Sequence, residues 1–200
     1  MTALRMISLD LSLAAAAIAW NHDHHGVANL GVRTVHTARV NKDTVDHNRI
    51  HRVLEWVAAA AKARPHLAVI EGTFTRGGGS DIPLIGLRTV VCHWLWTKKI
   101  PYVDVAPATV KVWTTGSGAT RGENKVTKDK VVAAVVATYG GLLNIDPRDD
   151  NQCDAVGLLS LGLAAYGQPL VRVTRAQQTR ALAAVRWPTL ATEAGPVVPV

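Results

Sequence analysis

The apolar residues of this chain change their period at Asp46. Before it, Ile7, Leu9, Leu11 and Leu13 alternate with Ser8, Asp10 and Ser12, the pattern of a strand with one face buried. After it, Ile50, Val53, Leu54, Val57, Ala58 and Ala61 recur every three or four residues, the stripe of an amphipathic helix. A chain that opens in strands and then turns to helices has to bury a sheet beneath those helices. That restricts it to layered sheet-and-helix architectures.

Ala14 to Trp20 continues as a second strand, Asn21 to Gly26 is a polar turn, and Val27 to Val40 holds at least one more strand. Three antiparallel strands in a meander is the simplest reading. Pro65 ends the first helix, and Leu67 to Ile70 is a short, wholly apolar run of the kind a central strand covered on both faces requires. It finishes at Glu71-Gly72. A loop with three consecutive glycines, Gly77 to Gly79, precedes a helix opened by Ser80-Asp81 and running to about Trp96.

Tyr102 to Val105 reads as another strand, Pro107 starts a short helix, and Thr114 to Asn124 is a flexible loop. Val131, Val132, Val135 and Val136 mark the next helix, and a last buried helix spans Asp154 to Tyr166. The order βββ-α-β-α-β-α-α-α predicts an α/β fold: a mixed sheet, three antiparallel strands followed by parallel βα units, with helices on both faces. Residues 1–170 form the expected domain. Residues 171–200 are expected as a basic helix and a loose tail, rich in Pro, Ala and Val from Pro188 on.

At 200 residues the chain can bury one full core. Its formal charge of +7, from 22 Lys and Arg against 15 Asp and Glu, favours polyanionic partners, nucleic acid foremost. The two cysteines, Cys92 and Cys153, have no zinc-site spacing and read as small core residues in a reducing compartment. No apolar run reaches the ~20 residues of a membrane span, and the N-terminus lacks the order of a signal peptide. A cytoplasmic protein without membrane association is expected.

Three acids sit where acids are disfavoured. Asp10 lies mid-strand between leucines, Glu71 ends an apolar strand, and Asp154 opens an almost wholly apolar helix. Singly, each has an ordinary explanation: a hydrogen-bonding or turn residue, a strand exit, a residue favoured by the helix macrodipole. Jointly they mark the edges of buried elements that a mixed sheet could bring together. Clustered carboxylates repel and need a cation, and a hard ion such as Mg²⁺ takes oxygen ligands.

The segments Ile-Ser-Leu-Asp10-Leu-Ser, Ala-Val-Ile-Glu71-Gly and Asp154-Ala-Val-Gly-Leu, with Val105-Ala-Pro-Ala-Thr-Val-Lys111 and Thr115-Gly-Ser-Gly-Ala119 between them, resemble in order and spacing the motifs of RuvC-type Holliday-junction resolvases. The resemblance covers roughly residues 5 to 167 and suggests a divergent member, of the kind a phage would encode and use in its host's cytoplasm. It implies an RNase H-like fold, a homodimer, and Mg²⁺- or Mn²⁺-dependent cleavage of DNA four-way junctions with two ions per site. By the same resemblance Asp10, Glu71 and Asp154 are metal ligands. The family's further acid three residues before the last one is Asn151 here, so the fourth ligand is expected to be Asp150, with the Asn151 amide oxygen as the alternative.

Lys111 and Lys128 match basic residues that the family places near the scissile phosphate. Lys125 or Lys130 could replace Lys128, and a solvated surface role is open for all of them. Arg121, Lys125 and Lys130 join the two lysines as expected DNA contacts, and Arg172 and Arg175 are further candidates. The tract His22, Asp23, His24 and His25 reads as a solvated turn, because adjacent residues cannot all face one ion. Gly77 to Gly79 lacks the Lys-Ser/Thr of a phosphate-binding loop. Trp94 and Trp96 are expected in the core, with a dimer interface as the alternative that the family suggests. The competing functions are a flap or RNA–DNA-hybrid nuclease of the same fold, or a catalytically weak junction-binding protein.

Overall fold

Three strands, β1 (Met6–Asp10), β2 (Ala15–Trp20) and β3 (Gly31–His36), pair antiparallel in a meander. β4 (Leu67–Glu71) joins the free side of β1 in parallel, and β5 (Tyr102–Val105) joins β4, also in parallel. The sheet order is β3-β2-β1-β4-β5, the mixed sheet expected from the period change. The computed structural model describes residues 3–23, 25, 29–38, 46–72, 82–119, 121–122, 125–192 and 195–200. The expected turn residues His24 and Gly26, the glycines Gly77 to Gly79, the helix opening at Ser80-Asp81, and Thr120, Glu123 and Asn124 of the expected loop lie outside the described residues.

Helices cover both faces. On one, α1 (His47–Ala60) and α2 (Ile82–Thr97) bury Val53, Val57, Leu87 and Leu95 against Ile7, Leu9, Ile18 and Ile70 of the sheet. On the other lies α5 (Asp150–Ala165), flanked by α3 (Pro107–Thr115), α4 (Lys128–Tyr139) and α6 (Ala176–Ala183). Among the described residues no helix is long and apolar enough to cross a membrane.

β1 is buried on both faces, not one. The side carrying Met6, Ser8 and Asp10 lies under α5, and Ser8 is satisfied there by donating from Oγ to the Ala155 carbonyl at 2.6 Å. A buried hydroxyl with such a partner costs little, so a polar residue in the alternation did not mean a wet face. The close approach of α5 depends on its glycines. A Cβ on Gly162 would stand 2.7 Å from Val69 Cγ2, and one on Gly157 would stand 2.9 Å from Thr114 Cγ2.

α5 starts at Asp150, four residues before the expected opening at Asp154. Asp149 is the cap: its carboxylate accepts from the Gln152 backbone N–H at 3.2 Å and also from the Thr34 hydroxyl of β3. Trp96 departs from the expected core position as well. It is 69% exposed on α2, whereas Trp94 is partly buried against the α1–α2 core.

The C-terminal segment is packed rather than loose. β6 (Leu190–Thr192) and β7 (Gly195–Val197) pair antiparallel, and Leu190 is fully buried. Tyr166 donates its hydroxyl to the Pro188 carbonyl at 2.5 Å and meets Trp187 edge to face. Pro- and Val-rich composition had suggested disorder, but an aromatic pair and one buried leucine dock the segment. α6 is less basic than expected: its helical residues carry Arg180 alone, with Arg175 at the cap.

Candidate active site

β1 and β4 are adjacent and parallel, with Leu9 opposite Ile70. Asp10 and Glu71 are the next residues along, so both strands end in a carboxylate on the same edge of the sheet. α5 crosses that edge and presents Asp150 and Asp154, one helical turn apart. The four acids line one cavity of about 250 Å³ together with Asn151, Lys111 from α3, Lys128 from α4, and an apolar wall of Pro107, Val131 and Val132. It is not the largest cavity of the chain, but it is where the acids meet.

Burial and crowding change the protonation of these groups. Asp10 is 7% exposed, and its carboxyl is pushed far above the usual carboxylate range, first by burial, then by the charges of Glu71 and Asp154. Glu71 is raised as well, chiefly by burial, although a hydrogen bond with Asp10 and the charges of Lys111 and Lys128 hold it down. The shared hydrogen bond raises Asp10 and lowers Glu71, so the two carboxyls titrate as one pair. Asp154 is pushed up to about 7 by burial and then by Glu71 and Asp150, against the pull of the two lysines.

Lys128 forms an ion pair with Asp150, and that contact is the main cause of its raised pKa. Among the described residues no three His, Cys, Asp or Glu side chains are already gathered closely enough to close around one ion. The donor set is all oxygen, desolvated and under-neutralised, which fits a hard divalent cation and not a soft one.

Of the other cationic candidates, Arg121, Lys125, Lys130, Arg172 and Arg175 do not line this cavity. Lys130 donates from Nζ to the Lys125 carbonyl at 2.9 Å, and Arg175 caps α6. His22 is not a solvated turn residue: it is 2% exposed, and burial lowers its pKa to about 4. Sequence reasoning missed Ser8, Thr34 and Gly157, which fix α5 against the sheet and α3. The small residues at Ser8, Gly157 and Gly162 were the available signal.

No family model matches the chain. It is similar to the crossover junction endodeoxyribonuclease RuvC of Prochlorococcus marinus strain MIT 9211, with 30% identity over 131 residues, 64% of this chain and 76% of that one. To the protein of the same name from strain MIT 9312 it is 26% identical over 159 residues, 78% and 93% of the two chains. Among solved structures, Thermus thermophilus RuvC superposes with a TM-score of 0.58 at 18% identity, over 82% of this chain and 98% of that one. T. thermophilus RuvC in complex with Holliday junction substrate gives 0.55 at 20% identity, over 78% and 90%. At those identities the structural likeness is one of fold.

Proposed function

The chain belongs to the RuvC family of crossover junction endodeoxyribonucleases, and on that premise we propose that it cuts DNA four-way junctions by hydrolysis at the cavity of Asp10, Glu71, Asp150 and Asp154. The observation that carries this reading is the meeting of carboxylates from β1, β4 and α5 with Lys111 and Lys128 in one cavity. Asp10, Glu71 and Asp154, with Asp150 as fourth, would hold divalent cations, Mg²⁺ or Mn²⁺ and two per site. Bound there, such ions supply positive charge to the attacking and leaving oxygens of a phosphodiester.

The chain's own groups have separable tasks. Lys111 and Lys128 neutralise the phosphate and stabilise the charge that builds on it. Pro107, Val131 and Val132 exclude bulk water on one side, which strengthens those interactions. Water adds to phosphorus and the bond to the 3′ oxygen breaks, leaving a 5′-phosphate and a 3′-hydroxyl, as the family resemblance implies.

A homodimer would bring two such sites to the two strands that must be cut. Helix α2 supports it, because Ile82, Ile85, Val90 and Trp96 stand exposed along it, and grouped exposed apolar side chains mark interaction sites.

The test is cleavage of four-way junctions, flaps and RNA–DNA hybrids with and without Mg²⁺, using the native chain, Asp10→Asn and Glu71→Gln. Junction cutting that needs the metal and falls by at least about a hundredfold in either variant is expected, with junction binding retained. Preferential cutting of flaps or hybrids would replace the substrate. Binding without cutting by the native chain would make it a junction-binding protein.

A further inference from the structure

A cleft of about 750 Å³ lies at the other end of the strands. It opens where β4 and β5 begin, whereas Glu71 stands where β4 ends. Four residue steps of ~3.3 Å separate the two ends, roughly 13 Å along the strand. Among the described residues, the ionisable groups lining the cleft are Lys62, Arg64, Lys98, Lys99 and His66, with no Asp or Glu. Lys62, Arg64, Lys98 and Lys99 are exposed, and among the described residues none has an ion-pair partner.

Two of these cations occupy backbone positions that ordinarily go to glycine. Arg64 has φ 50° and Lys99 has φ 56°, a left-handed conformation uncommon in other residues. Each follows a helical segment, and the helix macrodipole favours a cation there. That explains one charge at each end. It does not explain why four cations, none with an ion-pair partner among the described residues, converge from two separate segments on one concave surface.

We infer that this cleft is a second polyanion site, which grips the phosphate backbone of DNA away from the carboxylate cavity. An acidic protein segment is the weaker occupant, because protein interfaces rely on buried aromatic or aliphatic anchors. Here the large apolar lining groups are Ile100, which is buried, and Trp94, whose ring Lys98 overlies at 5.8 Å. Flexible cations around a hollow suit phosphates, which need neutralisation more than shape. The site rests on the DNA reading above and extends it to a second contact.

The decisive variant is Arg64→Gly with Lys99→Gly, because glycine accepts both backbone conformations. Junction affinity is measured against salt in metal-free buffer, and single-turnover cleavage with Mg²⁺ at saturating protein. The variant is expected to bind several-fold more weakly, with a salt slope lower by about 1.8, the value for two phosphates. Its thermal midpoint and its saturated cleavage rate should be undiminished. Unchanged affinity and slope in the folded variant would overturn the proposal. So would polyglutamate that binds the native chain but not the variant while DNA binding stays equal. If the native chain neither prefers nor cuts junctions, the functional reading fails instead, and the slope on linear duplex still reports on the cleft.

Discussion

Lys128 of α4 and Asp150 of α5 form an ion pair at the cavity that Asp10, Glu71 and Asp154 share. On the proposed reading Asp150 therefore has two claimants: the lysine in the free protein, and the divalent cation that the cavity would hold. Lys128→Ala should lower the Mg²⁺ concentration needed for half-maximal cleavage while slowing the saturated rate by about ten- to a hundredfold. In the same titration Asp150→Asn should raise the Mg²⁺ requirement far more than Asn151→Ala. A larger loss in Asn151→Ala would move the fourth ligand to residue 151.

Stability in the absence of metal should depend on pH through Asp154. Its carboxyl titrates at about 7 in the fold, against an ordinary value of 3.8. Between those values the folded chain holds a proton that the unfolded chain has lost, so stability falls as pH rises through that window and levels off above it. Asp10 acts in the same direction. Thermal melts should show the native chain losing midpoint from about pH 5 to pH 8, with Asp154→Asn flatter and higher at pH 8. Mg²⁺ at pH 8 should raise the midpoint of the native chain more than that of Asp154→Asn. A native profile no steeper than the variant's would contradict the buried, repelling arrangement.

The glycines of α5 give a test of packing. Gly162→Ala pushes a methyl group into Val69, and Gly157→Ala pushes one into Thr114 and Val110. Each should cost about 1–3 kcal/mol in denaturant unfolding, as overpacking does. Gly157→Ala should also slow cleavage, because it shifts α5 against α3, and Asp154 and Lys111 stand on those two helices. Wild-type stability in both would mean that α5 moves freely over the sheet.

Trp96→Glu should leave the fold intact, since the ring is 69% exposed, yet convert a dimer to a monomer in sedimentation analysis. Paired cuts in one junction should then become single nicks. A native chain that sediments as a monomer at micromolar concentration would remove the dimer from the proposal.

The sheet was legible because alternation, an apolar central run and a later helical stripe are all backbone-periodic signals. Asp10 and Glu71 were legible for a related reason: a carboxylate that interrupts such a signal stands out. The start of α5 was not. The apolar stripe begins near Ala155, while the helix begins at Asp150, where Asp149 is held by Thr34 from a strand more than a hundred positions away. Window reasoning cannot see that bond. The docked C-terminal segment was missed for the same cause, since Tyr166 and Trp187 become partners only in the fold. The lysines fall between these cases: family resemblance offered Lys111 and Lys128, and both line the cavity, whereas Lys125 and Lys130 do not.

The parallel pairing of Leu9 with Ile70 carries one more consequence. The backbone positions that carry the next two carboxylates are spaced by the main-chain ladder, at the ~4.8 Å gauge common to neighbouring strands, and not by the fit of any particular side chains. Core residues on either face can drift in shape without resetting that gauge. Lineages of this fold can therefore diverge until little sequence is shared and still keep the first two acids in step. What drift can disturb is the angle at which α5 delivers the others.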